Sequence, residues 1–409
     1  MNILFILPQI RRGGGQAIQA LNLAEQLTRR GNKVVFLTFK TKETSNDIKK
    51  YLKKFKIFYY NVYLTNVIFL IAPLLVNTAK KIAEKYKIDI IQSFDPHLSN
   101  LIAVLLGNKM KIPVICRLGA KYRDFYNNKL LRGKFFTKFL YYTKIPSIIL
   151  MLLEFYTIMK TKILIGNSFY ILNALKQSFL LRFQKFNCKV IPNGVNLEKF
   201  SPKKELPKKI STDFEKKKII LFLGRIEDYK GIDILIRAFA IVNQKISDIH
   251  LILIGSYHYN YQFYKKLQEN VKKLNLTRNI SFLGEVSHNE IPFYLVLTKI
   301  LVLPSYSPSK PIEEGFPNVI LEAMACGRLI IASNIGGIPE IIHNQKNGLL
   351  FEPKNYLQLA KLILSIWMNP IKFEKLAENA RRDVIKKYAI EIVVEKYMKL
   401  YNWSVHSGV

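Results

Sequence analysis

The sequence has little cysteine and no disulfide pattern. Its 409 residues contain three cysteines, Cys116, Cys188 and Cys326, which are far apart and odd in number. This excludes a disulfide framework, offers no zinc-binding spacing and favours a reducing compartment. Residues 2–7 run directly into a proline and a basic pair, so the start of the chain lacks the pattern of a signal peptide. We therefore expect a cytoplasmic protein.

Acidic residues are also scarce, above all in the first half of the chain. The 63 Lys and Arg residues outnumber the 29 Asp and Glu residues and give a net charge of +34. Residues 1–200 alone hold 33 basic and 9 acidic residues, a net charge of +24. Such a charge attracts anionic lipid, anionic glycan or nucleic acid. Because no nucleic-acid recognition motif accompanies it, we expect peripheral contact with an anionic membrane, with a merely solvated basic surface as the alternative.

An uncharged stretch from residue 57 to residue 79 approaches the length of a membrane-spanning helix. Because it contains several polar residues and Pro73, we predict instead a buried strand near 57–63 and a helix that ends at about Tyr86; a true span is the alternative. A second apolar stretch, 145–159, is amphipathic and has basic neighbours, as in segments that lie on a bilayer surface.

Apolar strands alternate with helical patterns along both halves of the chain, which predicts parallel, doubly wound sheets. The polar, proline-marked segment 201–209 is the predicted interdomain connection. We predict an N-terminal domain over 1–198, a C-terminal domain over 199–386 and a terminal helical segment over 387–409. The predicted strands are 3–7, 34–39, 57–63, 88–91, 113–116 and 163–166 in the first half and 219–223, 250–254, 280–283, 300–303 and 329–332 in the second.

The segment from Glu314 to Gly327 places two carboxylates around a short apolar helix. Pro317 suits a first helical position and Gly327 suits a left-handed stop, which predicts a helix over Asn318–Cys326. Glu314 then lies ahead of the positive end of the helix, and Glu322 lies about one turn inside. The N–H groups and dipole of such a helix end attract an anion or a phosphorylated polyol. A sugar nucleotide is the simplest ligand for this arrangement.

The seven-residue spacing between Glu314 and Glu322, followed by the Gly336-Gly337 turn, resembles the donor site of retaining family 4 glycosyltransferases. The resemblance implies an α/β protein of the GT-B fold, in which two Rossmann-like doubly wound domains face each other across a cleft and a terminal helix crosses back to the first domain. It spans nearly the whole chain and is most specific after residue 190, where Asn193-Gly194-Val195 matches a turn at the domain junction. For the two carboxylates alone, a buried helix with incidental acidic residues is the alternative.

Arg225 and Lys230 lie in a glycine-flanked segment, 224–231, that resembles the G-R-x4-K-G phosphate clamp of this family. Fixed cations stabilise the negative charge of a departing diphosphate without a metal. The planar fork of Arg225 can hold two oxygens, whereas Lys230 acts as a point charge. Since the sequence contains no D-x-D motif, we expect no metal or other cofactor and a UDP- or GDP-sugar as substrate.

The resemblance also assigns roles to the acid-flanked segment. Glu314 would bind the donor sugar and stabilise its cationic transition state, and Glu322 would accept hydrogen bonds from the ribose hydroxyls. The adjacent Glu313 leaves the identity of the first carboxylate open. The implied contacts of the backbone are Gly315, Phe316, Pro317 and Asn318 on the sugar and phosphate and Val319 on the nucleoside.

A first glycine loop follows the first strand. Gly14 and Gly15, with Leu23-Ala24 and Gly31, match the opening pattern of the family, which implies that Gly15 reaches the phosphate or sugar of the donor. Glycine permits close backbone approach, and a helix end favours negative charge. A plain turn is the alternative.

Many members of the family carry a histidine where this sequence has Gly119. His97, in Ser93-Phe-Asp95-Pro-His97, is the nearest imidazole by sequence, and an imidazole suits proton handling at an acceptor hydroxyl. Asp95 is a comparable candidate for the acceptor side, and an ordinary loop histidine is the alternative.

We therefore expect a retaining, metal-independent glycosyltransferase at the cytoplasmic face of the plasma membrane. It would move a hexosyl group from a nucleotide diphosphate sugar to a hydroxyl of a cell-envelope glycan or lipid-linked acceptor, as in polysaccharide or lipopolysaccharide biosynthesis. A GT-B epimerase or phosphorylase and a non-catalytic, basic GT-B-like binding protein are the alternatives.

Overall fold

The computed structural model of the protein contains two α/β units, each built on a parallel sheet. The first unit comprises Met1–Asn193, Lys310–Gly315 and Ile390–Val409, and the second comprises Gly194–Ser309 and Phe316–Ala389. The structure describes residues 1–8, 10, 15–39, 53–60, 72–119, 152, 155–177, 187–207, 214, 217–258, 260–307 and 314–407.

The sheet of the first unit has seven strands in the order β3-β2-β1-β4-β5-β6-β7, and all neighbours are parallel. From β1 to β3 the strands are added toward one edge of the sheet, and from β4 to β7 they are added toward the other edge. The strand order therefore reverses between β1 and β4. The strands are β1 (Asn2–Leu7), β2 (Lys33–Phe39), β3 (Lys56–Tyr60), β4 (Ile90–Ser93), β5 (Val114–Leu118), β6 (Ile163–Gly166) and β7 (Asn187–Val190). The helices are α1 (Gly15–Arg29), α2 (Ala72–Tyr86), α3 (Leu98–Met110), α4 (Phe169–Lys176) and, from the end of the chain, α11 (Ile390–His406).

Both faces of this sheet are buried. Side chains of a strand point alternately to opposite faces, so Ile3, Phe5 and Leu7 of β1 join one core cluster. Leu4 and Ile6 join the other, which α2 and α3 cover. A continuous apolar run such as β1 is therefore explained by burial on both sides.

The terminal helix α11 packs on the first face. Its Tyr397 and Tyr401 are fully buried in the cluster that α1 also supplies. Arg117 Nε donates to Tyr397 Oη over 2.7 Å, and the hydroxyl of Tyr401 donates to Gln92. The helix predicted from 391 thus belongs to the first unit.

The second sheet has six strands in the order β10-β9-β8-β11-β12-β13, and again all neighbours are parallel. One core cluster fills the unit. The strands are β8 (Lys218–Leu223), β9 (Ile249–Ile254), β10 (Ile280–Gly284), β11 (Ile300–Leu303), β12 (Leu329–Ser333) and β13 (Leu349–Phe351). The helices are α5 (Ile232–Asn243), α6 (Tyr261–Lys273), α7 (Ile291–Leu297), α8 (Asn318–Ala325), α9 (Tyr356–Met368) and α10 (Pro370–Lys387).

The two parallel, doubly wound sheets confirm the predicted α/β class. The division between the units falls between Asn193 and Gly194, earlier than the predicted boundary after 198, and again after Ala389 rather than after 386. Val195 N donates to Tyr388 O over 2.9 Å, and Phe200 lies in the core of the second unit. These contacts attach residues 195–200 to the second unit, ahead of the segment 201–209 that the sequence predicts as the interdomain connection.

Other differences are local. Strand β4 starts at Ile90 rather than at residue 88. The side chain of Asp89 instead bonds to the first residue of β1, because its Oδ2 accepts from Asn2 N over 2.7 Å. The strand predicted near 57–63 is β3, and α2 ends at Tyr86 as predicted; residues 61–71 and most of 145–154 lie outside the described part of the chain. Among the described residues, none of the helices combines the length and apolarity needed to cross a membrane.

Candidate functional site

The predicted clamp lies against the loop that leads to the predicted acid-flanked helix, where the strand order of the second sheet reverses. β8 and β11 are neighbours at this point. The strand that follows β8 in the chain lies toward one edge of the sheet, and the strand that follows β11 lies toward the other edge. The carboxyl ends of two such strands leave a crevice, which is where open α/β sheets bind ligands. The loop after β8 carries Arg225 and Lys230, and the loop after β11 leads to α8. Topology therefore brings together segments that are far apart in sequence.

The two loops touch each other directly. Tyr306 N donates to Tyr229 O over 2.8 Å. Gly231 has φ +67°, and a Cβ atom there would lie 1.9 Å from the carbonyl oxygen of Pro304. No side chain fits such an approach, so glycine after Lys230 is required by both the backbone conformation and the neighbouring loop.

The guanidinium of Arg225 is held in place by two neighbours. Its Nη1 lies 2.7 Å from Glu227 Oε1, and its Nη2 donates to Tyr229 Oη over 2.5 Å. Glu227 is buried, whereas the Arg225 side chain is 37% exposed. A buried carboxylate and a phenol thus fix the direction of the fork. Both residues lie inside the predicted motif, but the sequence analysis gave them no role.

Lys230 ends a short 3-10 turn directly ahead of α5. Its Nζ lies 5.3 Å from the centre of the Tyr229 ring. Asp233, in the first turn of α5, is largely buried, and burial raises the pKa of its carboxyl group. Burial, and then the negative charges of Asp233 and Asp228, raise the pKa of the Tyr306 hydroxyl.

The acid-flanked segment forms α8 from the predicted start at Asn318, but the helix ends at Ala325, one residue before the predicted end. Pro317 has extended backbone, φ −70° and ψ 120°, so it precedes the helix instead of occupying its first position. Gly327 has φ +67°, which confirms the predicted left-handed stop after the helix. Asn318 and Val319 are half-buried at the start of α8. Phe316 is 6% exposed and packs edge-on against a tyrosine of the core, so its side chain belongs to that core.

Glu322 lies in the second turn of α8 and is 8% exposed. Its Oε1 lies 3.4 Å from Nε2 of His288, and Nδ1 of that ring lies 2.5 Å from Lys199 Nζ. Both partners, Lys199 and His288, lie outside the motifs that predicted the site. Neither stands in a recognisable motif, and only the fold brings them to this helix.

Glu314 and Gly315 group with the first unit. A Cβ atom at Gly315 would lie 3.0 Å from Gly119 O and 3.2 Å from Ile171 Cδ1. The segment therefore lies against the end of β5 and against α4. Glu313, the other candidate for the first carboxylate, is outside the described residues.

The sheet of the first unit has its own reversal point, between β1 and β4. Gly15 begins α1 just after β1, whereas Gly14 is outside the described residues. Asp95 and His97 follow β4: Asp95 Oδ1 accepts from His97 N over 2.9 Å and lies 3.7 Å from its Nδ1. Asp95 is buried, and among the described residues its Oδ2 has no hydrogen-bond partner. The two acceptor-side candidates are thus neighbours at this edge.

The side chain of Gln16 fills the space in front of Gly119, the position at which many members of the family carry a histidine. A Cβ atom at Gly119 would lie 2.4 Å from Nε2 of Gln16, in the first turn of α1. Gln16 therefore fills the space in front of Gly119, while His97 pairs with Asp95. The sequence analysis overlooked Gln16 because its position depends on the pairing of β1 with more distant strands.

Comparisons with known proteins agree with the fold of two α/β units. The family described as Glycosyltransferase Family 4 matches residues 13–199, and the one described as Glycosyl transferases group 1 matches residues 203–383. An uncharacterized glycosyltransferase of Methanocaldococcus jannaschii is 31% identical over 79% of this chain and 77% of its own. The N,N'-diacetylbacillosaminyl-diphospho-undecaprenol alpha-1,3-N-acetylgalactosaminyltransferase of Campylobacter jejuni is 28% identical over 79% of each chain. The HepE protein of Anabaena, solved in complex with UDP, superposes with a TM-score of 0.76 at 19% identity over 98% of this chain and 100% of its own.

Two Rossmann-like α/β units with these motifs define a glycosyltransferase of the GT-B class. Within that class, the chain belongs to glycosyltransferase family 4, as the resemblance predicted, and it is a transferase enzyme.

The close contact at Gly231 can be tested against a matched glycine. We expect Gly231→Ala to lower the free energy of unfolding by about 1–3 kcal/mol more than Gly327→Ala, because overpacking adds to the backbone strain. Both glycines have φ +67°, but the nearest atom to a Cβ at Gly327 is 3.8 Å away. Chemical denaturation of both variants gives the comparison, and equal losses would contradict the close approach of the two loops.

Proposed function

We propose that the enzyme transfers a hexosyl group, with retention of anomeric configuration, from a UDP- or GDP-sugar to a hydroxyl of a cell-envelope glycan or lipid-linked acceptor. One observation carries the proposal: the loop with Arg225 and Lys230 and the start of α8 share the reversal point of the second sheet. The second unit then supplies both the cations that would bind a diphosphate and the carboxylate that would bind a ribose.

Two helix ends add to the affinity of this edge for an anion. α5 begins just after Lys230, and α8 begins just after Pro317. Within the described part of the chain, Gly231 and Pro317, the residues that precede these helices, do not cap them with a side chain. In α5 the carboxyl group of Asp233 accepts from first-turn N–H groups, so part of the donor capacity of that helix end is already used. The first N–H groups of a helix and its dipole both stabilise a negative charge. Together with the clamp, they suit a pyrophosphate.

The leaving group determines what the clamp must do. Negative charge develops on the diphosphate as the bond to the sugar breaks, and fixed positive charge stabilises it most when it needs no reorganisation. The contacts of Arg225 with Glu227 and Tyr229 supply that fixed orientation. Lys230 adds a second charge, so in this proposal no metal or other cofactor takes part.

The remaining roles follow the family assignment. Glu314 binds the donor sugar and stabilises its cationic transition state, and Glu322 accepts from the ribose hydroxyls. The backbone of 315–318 contacts the sugar and phosphate, and Val319 contacts the nucleoside. The acceptor attacks the face from which the diphosphate leaves, and a diphosphate oxygen takes its proton. Asp95 and His97 lie on the acceptor side.

The acceptor class rests on charge and on one relative. The C. jejuni protein is named for a diphospho-undecaprenol substrate, which supports a lipid-linked acceptor for this enzyme too. The Anabaena structure contains UDP, which supports a nucleotide donor. The charge of +24 over residues 1–200 supports peripheral contact with anionic lipid at the cytoplasmic face of the plasma membrane. In this proposal nucleic acid is not a partner, because no recognition motif accompanies the charge.

Removing either clamp cation should slow turnover strongly. We expect Arg225→Ala and Lys230→Ala each to lower kcat by about 10²–10³-fold, which corresponds to about 2.7–4 kcal/mol of transition-state stabilisation. Steady-state kinetics with the preferred donor measures the effect. Arg278→Ala is the matched control, because Arg278 is an exposed cation of the same unit just before the amino end of β10. Near-normal turnover in both clamp variants would remove the clamp from the mechanism.

The stereochemistry of the product tests the reaction type. We expect the new glycosidic bond to keep the anomeric configuration of the donor, as measured by the NMR coupling constant of the anomeric proton. Incubation with donor alone is the control, since an epimerase converts the donor without an acceptor. A product of opposite configuration would exclude the retaining mechanism.

A further inference from the structure

Three polar side chains form a continuous chain in the second unit. Lys199 Nζ lies 2.5 Å from His288 Nδ1, and His288 Nε2 lies 3.4 Å from Glu322 Oε1. The three residues come from different places in the sequence: the turn that opens the unit, the loop between β10 and α7, and α8. They meet at the helix whose start lies at the candidate site.

The chemistry of the three groups fixes the protonation of the ring. A lysine ammonium only donates hydrogen bonds, so His288 Nδ1 must accept. The hydrogen of the neutral ring is then on Nε2, which donates to the carboxylate of Glu322. The ammonium of Lys199 thus selects the tautomer that holds Glu322.

The ring is also fixed sterically. It packs edge-on against Phe200, with ring centres 5.7 Å apart, and Phe200 is 3% exposed. Lys199 Nζ is itself anchored, since it donates to Asn289 Oδ1 over 3.1 Å. The imidazole therefore has a fixed position between a cation and a carboxylate.

A neutral donor suits the carboxylate of Glu322 better than a second ion would. Because Glu322 is 8% exposed, its charge needs a hydrogen-bond partner. A cation in direct contact would neutralise it, whereas a neutral imidazole orients it and leaves its negative charge for hydroxyl donors. One oxygen is then held by the protein and the other serves a ligand.

We propose that His288 is a positioning residue for Glu322, that Lys199 sets its tautomer, and that the three together determine how strongly the enzyme selects ribose over deoxyribose in its nucleotide. The inference rests on the proposed function, because it assumes that Glu322 binds the donor ribose. It assigns His288 no part in the chemical step.

The experiment is calorimetric titration of the full chain with UDP and GDP and with their 2′-deoxy and 3′-deoxy counterparts. Since hydrogen bonds to a charged group are the strong ones, we expect the wild-type protein to prefer the ribonucleotide by about 10- to 100-fold. His288→Leu should weaken ribonucleotide binding by a similar factor and bring the ribose-to-deoxyribose ratio close to one. His288→Gln, which keeps an N–H donor near the position of Nε2, should restore much of the ratio.

Two further variants separate positioning from folding. Lys199→Met keeps the imidazole and removes the cation, so we expect a smaller fall in the ratio. His343→Leu, at an exposed histidine of the same unit, should leave the ratio unchanged. In steady-state kinetics, His288→Leu should raise the KM of the donor and leave kcat within about twofold, because a uniform binding contact is lost.

The outcomes are distinguishable. If the wild-type protein prefers the ribonucleotide and both His288→Leu and Lys199→Met keep that preference, the role of His288 is overturned while the proposed function stands. If the wild-type protein binds no nucleoside diphosphate, the proposed function fails and the inference fails with it.

Discussion

The candidate site depends on the contact between two loops at the reversal point of the second sheet. β8 and β11 lie side by side only because the chain fills the sheet outward in both directions from β8. The loops that follow them touch through Tyr229 and Tyr306 and through the approach of Gly231 to Pro304. If that contact failed, Lys230 and the path from β11 to α8 would lose their relative positions. The charged side chains would still be present, but the distances between them would change.

Two charged groups of the candidate site have partners that orient them. Arg225 is held by Glu227 and Tyr229, and Glu322 is held by His288. Groups of opposite sign are thus fixed in advance, which costs stability where charges are buried but removes reorganisation when a ligand binds. The first unit shows the same principle at its own reversal point, where Asp95 holds His97 and Gln16 fills the space in front of Gly119.

The sequence was sufficient for the features that depend on local pattern. The strands 163–166 and 300–303 have the predicted bounds because each is a short apolar run buried on both faces. The segment 224–231 and the helix from Asn318 were found because glycine, proline and charge mark them locally. Gln16, Lys199 and His288 were missed, since each acquires its neighbour only through strand order and packing. The division between the units after Asn193 could not be read from composition, because Val195 and Phe200 acquire their contacts in the second unit only through the fold.

The central claim is that Arg225 and Lys230 bind the second phosphate of a nucleotide. Its most direct test is calorimetric titration of the full chain with UDP and UMP, and with GDP and GMP. The account predicts that the diphosphate binds about tenfold or more tightly than the monophosphate of the preferred base, and that this difference disappears when both cations are replaced by alanine. Equal affinities in the wild-type protein, or a difference that survives the double replacement, would contradict it.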